Sequence, residues 1–92
     1  MENKMKNLSK VIVDISAFLE LSGDDVIDPD SAIKAMEMIG SELKKATPEE
    51  KESIAVAAKA AATSARSRGA TEEEIEFYEG FMENFDLLEE DK

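Results

Sequence analysis

Residues 47–69 read TPEEKESIAVAAKAAATSARSRG, and this alanine-rich stretch decides the fold class. Thr47 and Glu50 have the spacing of a capping box, which marks the start of a helix. Gly69 suits the left-handed residue that often ends one. Alanine favours helix but contributes little apolar area to a core. The stretch therefore predicts a helix over 48–68 that depends on its neighbours for bulk.

The rest of the chain carries apolar residues at the three- and four-residue steps of further helices. Thr71 and Glu74 have the spacing of a second capping box, and Asp28 is a helix cap followed by a proline. These signals predict helices near 4–21, 29–46, 48–68 and 72–88, with 89–92 as a frayed tail. In the first helix, the stripe expected to face the core is Leu8, Val11, Ile12, Ile15, Phe18 and Leu19.

Connection lengths and the aromatic residues predict how these helices pack. The connections between helices 2 and 3 and between helices 3 and 4 are very short, which favours antiparallel neighbours. Four of the five aromatic residues lie in the last helix and can supply the bulk that the alanine helix lacks. The sequence predicts one all-α domain over residues 1–92, a compact four-helix bundle with the alanine helix at its centre.

The composition excludes several classes of function. The 92 residues include no Cys and no His, so disulfides, thiolate metal sites and histidine acid–base chemistry are absent. The glycines are isolated and form no phosphate-binding loop. No run approaches the ~18 apolar residues of a membrane-spanning helix. We therefore expect a cytoplasmic protein that is not an enzyme and that carries no cofactor and no metal.

The net charge of −11 is distributed unevenly. Residues 71–92 hold ten acidic residues and one basic residue, whereas residues 51–70 hold four basic residues and one acidic residue. Such acidity opposes binding to nucleic acid or an anionic membrane, since both are polyanions. It favours a protein partner with a basic surface.

Two groups of carboxylates are candidate partner-binding residues. Helical spacing places on one face of the last helix the residues Glu72, Glu76, Glu79, Glu83 and Asp86, which we call the acidic stripe. Asp24 and Asp25 lie in the longest connection. The stripe has two interpretations: a solvated face partly neutralised by basic residues of the preceding helix, or a docking surface for a basic partner. The same loop also carries Asp28 and Asp30, but the spacing does not match a calcium-binding loop, and cap and turn chemistry explains it better.

Size, four helices and acidity make the chain resemble the nuclease-colicin immunity proteins. The resemblance is architectural, because the tyrosine-tyrosine-proline segment of that family is absent, so it assigns no residue a role. It implies a small binding module, an immunity protein or antitoxin that inhibits a toxic bacterial enzyme by direct binding. The alternative is a structural or adaptor protein that forms a homodimer through aromatic and methionine-bearing faces. Mimicry of nucleic acid ranks below both, because the stripe is short.

Overall fold

The computed structural model describes residues 5–87, and all regular structure within them is helical. The five helices are α1 (Lys6–Leu21), α2 (Pro29–Leu43), α3 (Pro48–Ser67), α4 (Glu72–Glu79) and α5 (Phe81–Asn84). The all-α class is confirmed. The predicted helix start at residue 4, the predicted helix end at residue 88 and the predicted tail 89–92 lie outside the described residues.

The predicted capping signal at the start of α3 is confirmed. The Thr47 hydroxyl accepts a hydrogen bond from the Glu50 backbone N–H at 3.1 Å, and the Glu50 carboxylate accepts one from the Thr47 N–H at 2.9 Å. At α4 only half of the predicted box forms: Thr71 accepts from the Glu74 N–H at 3.2 Å, while the Glu74 carboxylate contacts other side chains. Both helices therefore begin where their caps predict.

Gly69 ends α3 as predicted. Its φ is +72°, and the N–H of Ala70 donates to the carbonyl of Ala65 at 2.9 Å across the turn. This is the geometry of a Schellman motif, which glycine adopts without a steric penalty. The chain therefore reverses within a few residues, and α4 folds back onto α3.

The single helix predicted over 72–88 is interrupted. Gly80 separates α4 from α5, which suits the low helix propensity of glycine. A second Schellman turn then ends α5: Asp86 has φ +58°, and the N–H of Leu87 donates to the carbonyl of Met82 at 2.8 Å. Asp86 is thus a turn residue rather than the last member of a continuous helical face.

The predicted four-helix bundle is not confirmed, because the second helix lies elsewhere. α3 packs against α1, α4 and α5, whereas α2 packs against α1 and has little contact with α3. The expectation that helices 2 and 3 are packed neighbours is therefore wrong. Leu43 is the one buried residue of α2, and this helix packs mainly against α1.

The core lies where the alanine face of α3 meets the aromatic residues of α4 and α5. Phe77, Tyr78, Phe81 and Phe85 are all buried. The ring centroids of Phe81 and Phe85 lie 4.7 Å apart, and Phe77 meets Phe81 edge-to-face at 5.7 Å. Small alanines let these rings approach the α3 backbone closely, which fills the space that alanine leaves.

α1 is oriented opposite to the prediction. Its buried residues are Ser9, Val13, Ser16 and Ala17, while most of the predicted core stripe faces outward. Only Ile12 and Leu19 of that stripe are half-buried. Small side chains on α1 allow close approach to the small side chains of α3, and a buried hydrogen bond of 2.8 Å from the Ser9 hydroxyl to the Ser53 hydroxyl joins the two helices.

Candidate protein-binding surfaces

All five residues of the acidic stripe are exposed. Glu79 forms an ion pair with Arg66 of α3, so the predicted partial neutralisation occurs at that position. Between residues 5 and 87 we find no ion pair to Glu72, Glu76, Glu83 or Asp86. Lys51 and Lys59 likewise form no ion pair with the stripe in this range. Most of the stripe is therefore open to solvent, and the solvated-face and docking interpretations both remain.

A small network joins the end of α3 to α4. The Arg68 guanidinium donates to the Glu74 carboxylate at 2.5 Å, and the Tyr78 hydroxyl donates to the same oxygen at 3.3 Å. The hydrogen bond from Arg68 lowers the pKa of the Glu74 carboxyl. Burial, followed by the negative charge of Glu74, raises the pKa of the Tyr78 hydroxyl. These opposite shifts keep Glu74 ionised and Tyr78 protonated at neutral pH, so the network is structural.

The aspartates before α2 serve as turn and cap residues. Asp28 accepts hydrogen bonds from the backbone N–H and the hydroxyl of Ser31, both at 3.0 Å, which confirms its predicted role as the cap. Asp24 and Asp25 are exposed on the preceding turn. Across the described part of the chain, no three acidic side chains are grouped so that they could hold a metal ion.

A groove that the sequence did not predict opens between α2 and the α4–α5 segment. Its volume is about 650 Å³. The apolar side chains that line it are Leu19, Ile27, Ala32, Ile33, Met36, Phe77 and Phe85. Near the groove, α2 approaches the end of α5 at Gly40, where an added Cβ would lie 3.3 Å from the Phe85 ring.

The charged residues of this groove are all acidic. Glu20 and Glu37 line it, and no lysine or arginine does. Glu76 and Glu83 of the acidic stripe directly precede the lining residues Phe77 and Asn84 in the chain. We call this surface the acidic groove. None of the five residues of the acidic stripe lines the groove, and neither do Asp24 and Asp25.

A second surface that the sequence assigned to the core is exposed on α1. Leu8 is 68%, Val11 56%, Ile15 48% and Phe18 52% exposed. We call these four residues the apolar stripe. At about 100° per residue they lie on the side of α1 roughly opposite its buried face. The signal was present in the sequence, because α1 also carries Val13, Ala17 and Leu21 on its other side, so it has two apolar faces.

The dimer face that the sequence suggested is only partly exposed. The aromatic residues of α4 and α5 are buried, so they offer little surface to a second copy. Met36 is half-buried in the acidic groove, while Met38 and Ile33 are exposed on α2. Phe18 is the aromatic residue that is exposed.

Comparison with known proteins identifies no relative. No family model, no curated protein and no solved structure matches the chain.

None of the helices within residues 5–87 combines the length and the apolarity that crossing a membrane requires.

Proposed function

We propose that this protein is a small acidic binding module that holds a basic, amphipathic segment of a partner protein in the acidic groove. The observation that carries the proposal is the composition of the groove, which has apolar walls, two lining glutamates and no basic residue. A helix with one apolar face and basic edges would bury that face between α2 and α4–α5. Its lysines or arginines would meet the glutamates at the rim.

The most concrete form of this function is an immunity protein or antitoxin that inhibits a toxic bacterial enzyme by direct binding. An enzyme that acts on nucleic acid needs a basic surface, and the net charge of −11 would speed its encounter with this protein. The exposed carboxylates Glu72, Glu76 and Glu83 support this steering role, as do Asp24 and Asp25. The proposed action is binding rather than catalysis.

Affinity capture from the native host at about 50 mM and about 500 mM salt tests the proposal. The wild type, a groove variant (Ile33→Glu) and a charge variant (Glu20→Lys with Glu37→Lys) are compared with Val56→Glu. Val56 is an exposed apolar residue of α3 that does not line the acidic groove. We expect the wild type and Val56→Glu to retain a basic protein that both other variants lose. Its retention falls with salt, because screening weakens the charge contacts.

Two further measurements locate the contact on the captured protein and test whether that protein is toxic. Crosslinking and mass spectrometry should map the contact to a basic amphipathic segment of the captured protein. Expression of that protein alone should be toxic, and co-expression of the wild type, but not of Ile33→Glu, should protect the cell. If the wild type, the groove variant and the charge variant all retained the same partners equally, the proposed site would be refuted.

A further inference from the structure

We propose that the apolar stripe is the interface of an antiparallel homodimer, in which α1 packs against α1 of a second copy of this chain. The two-fold axis passes at the level of Val13, the midpoint of the stripe. This surface is separate from the acidic groove, so the inference does not depend on the proposed function.

The spacing of the stripe is that of a helix–helix seam. Leu8, Val11, Ile15 and Phe18 follow steps of three, four and three, which are the a and d positions of a heptad. Within the monomer each of these residues is 48–68% exposed, and the buried face of α1 is formed by other residues. α1 therefore has one face that packs within the monomer and a second apolar face that is about half exposed.

The exposed area fits a small dimer interface. With about 200 Å² for a large apolar side chain, the four residues expose roughly 400–450 Å² in total, near the largest patch of an ordinary monomer. A standard interface buries about 800 Å² on each partner, of which a little over half is apolar. The stripe supplies that apolar part, and the polar residues along its edges supply the rest.

The antiparallel arrangement pairs large with smaller side chains. About an axis at Val13, Leu8 lies opposite Phe18 of the second copy, and Val11 lies opposite Ile15. In a parallel pair, the two Phe18 side chains would meet each other at one end and the two Leu8 side chains at the other. The antiparallel pair also sets the two helix dipoles in opposition.

The charge of α1 itself does not oppose a second copy. The chain as a whole carries −11, but the charges of α1 are Lys6, Lys10, Asp14 and Glu20, which balance. Lys10 and Asp14 form an ion pair of 2.6 Å, and both line a hollow against α3 rather than the apolar stripe.

Sedimentation of the purified chain between about 1 and 500 μM measures the association. We expect a monomer–dimer equilibrium that persists at high salt, because apolar burial is not screened. Ile15→Glu should raise the dimer dissociation constant at least about 30-fold, the level of an interface hot spot. Phe18→Glu is the second variant, and Val56→Glu, exposed on α3, should leave the constant unchanged. Circular dichroism checks that each variant keeps its helices.

Disulfide formation between introduced cysteines tests the orientation of the two helices. The chain has no native cysteine that could form competing disulfides. Leu8→Cys and Phe18→Cys chains are mixed and oxidised. The antiparallel dimer gives the mixed disulfide between positions 8 and 18, while a parallel dimer gives the two homodisulfides.

Three outcomes would overturn the inference: a monomer over the whole concentration range, a dimer that Ile15→Glu and Phe18→Glu leave intact, or homodisulfides as the main product. The capture experiment stays independent, because Ile15→Glu should still bind the partner of the acidic groove. A chain that stays monomeric but still captures its partner contradicts only this inference. A chain that dimerises but captures no partner contradicts only the proposed function.

Discussion

Two buried serines of α1 differ in their effect on the stability of the fold. Ser9 and Ser16 lie one heptad apart on the buried face, yet their hydroxyls have different surroundings. The Ser9 hydroxyl is bonded to Ser53 at 2.8 Å, whereas that of Ser16, which is 0% exposed, has no hydrogen-bond partner among the described residues. A buried polar group without a partner destabilises the fold, and one with a partner is close to neutral or favourable.

Ser16→Ala should therefore raise the free energy of unfolding by about 1 kcal/mol, since it removes an unsatisfied hydroxyl and adds helix propensity. Ser9→Ala is the matched control and should lower it by about 1 kcal/mol, because a buried hydrogen bond is lost. Urea denaturation of the two variants gives both values. Equal destabilisation by both substitutions would show that Ser16 has a favourable role.

The connection between α3 and α4 is held by contacts at the ends of the two helices as well as by their packed faces. α3 and α4 are connected by a Schellman turn at Gly69, a cap at Thr71 and the ion pair from Arg68 to Glu74. The side chain of Glu74 is mostly covered while that of Arg68 is half-exposed. The pair therefore positions the start of α4 and contributes modestly to stability.

The lowered pKa of Glu74 predicts a pH dependence. Because its pKa is lower in the folded state than in the unfolded state, its stabilising contribution is present above the unfolded pKa of about 4.3 and is lost as the pH falls through the folded value. The difference in melting temperature between wild type and Glu74→Gln should thus be largest at neutral pH and shrink towards pH 3. Glu73→Gln, an exposed neighbour, should show little such difference. A difference that grows on acidification would contradict the assignment.

For the whole molecule, the acidic charge works against compactness. Among the described residues, α4 and α5 carry four carboxylates without an ion pair, Glu72, Glu73, Glu76 and Glu83, while the nearby Arg66 and Arg68 are already engaged. Like charges at helical spacing each cost a few tenths of a kcal/mol. In the complex that we propose, a basic partner would relieve this repulsion.

Salt should therefore stabilise the isolated protein. Between about 0.01 and 1 M salt the screening length falls from roughly 30 to 3 Å, which suppresses repulsion along the stripe. We expect the melting temperature to rise over this range. It should rise less in the triple variant that combines Glu72→Gln, Glu76→Gln and Glu83→Gln, because that variant lacks these repelling charges. A melting temperature that falls with salt equally in both proteins would show that ion pairs outweigh the repulsion.

The sequence by itself determined the features that depend on neighbouring residues in the chain. Thr47, Asp28 and Thr71 start helices because their side-chain oxygens bond the first free N–H groups, and Gly69 ends one because it accepts positive φ. The aromatic spacing of the last helix likewise located the core. Helical periodicity predicted the acidic stripe, and all five of its residues are exposed, but Asp86 lies in the turn after α5 rather than on a continuous helix.

Only the tertiary structure decided which face of α1 is buried, where α2 packs and where the groove opens. Apolar periodicity favoured Leu8, Val11, Ile15 and Phe18 for the core because it counts hydrophobic side chains and not the shape of the surface they meet. The alanine surface of α3 packs closely with small side chains, so the face with Ser9, Val13 and Ala17 turned inward. The two proposed binding surfaces follow from that choice: large apolar side chains remain exposed on α1, and α2 packs on α1 with a groove between it and the α4–α5 segment.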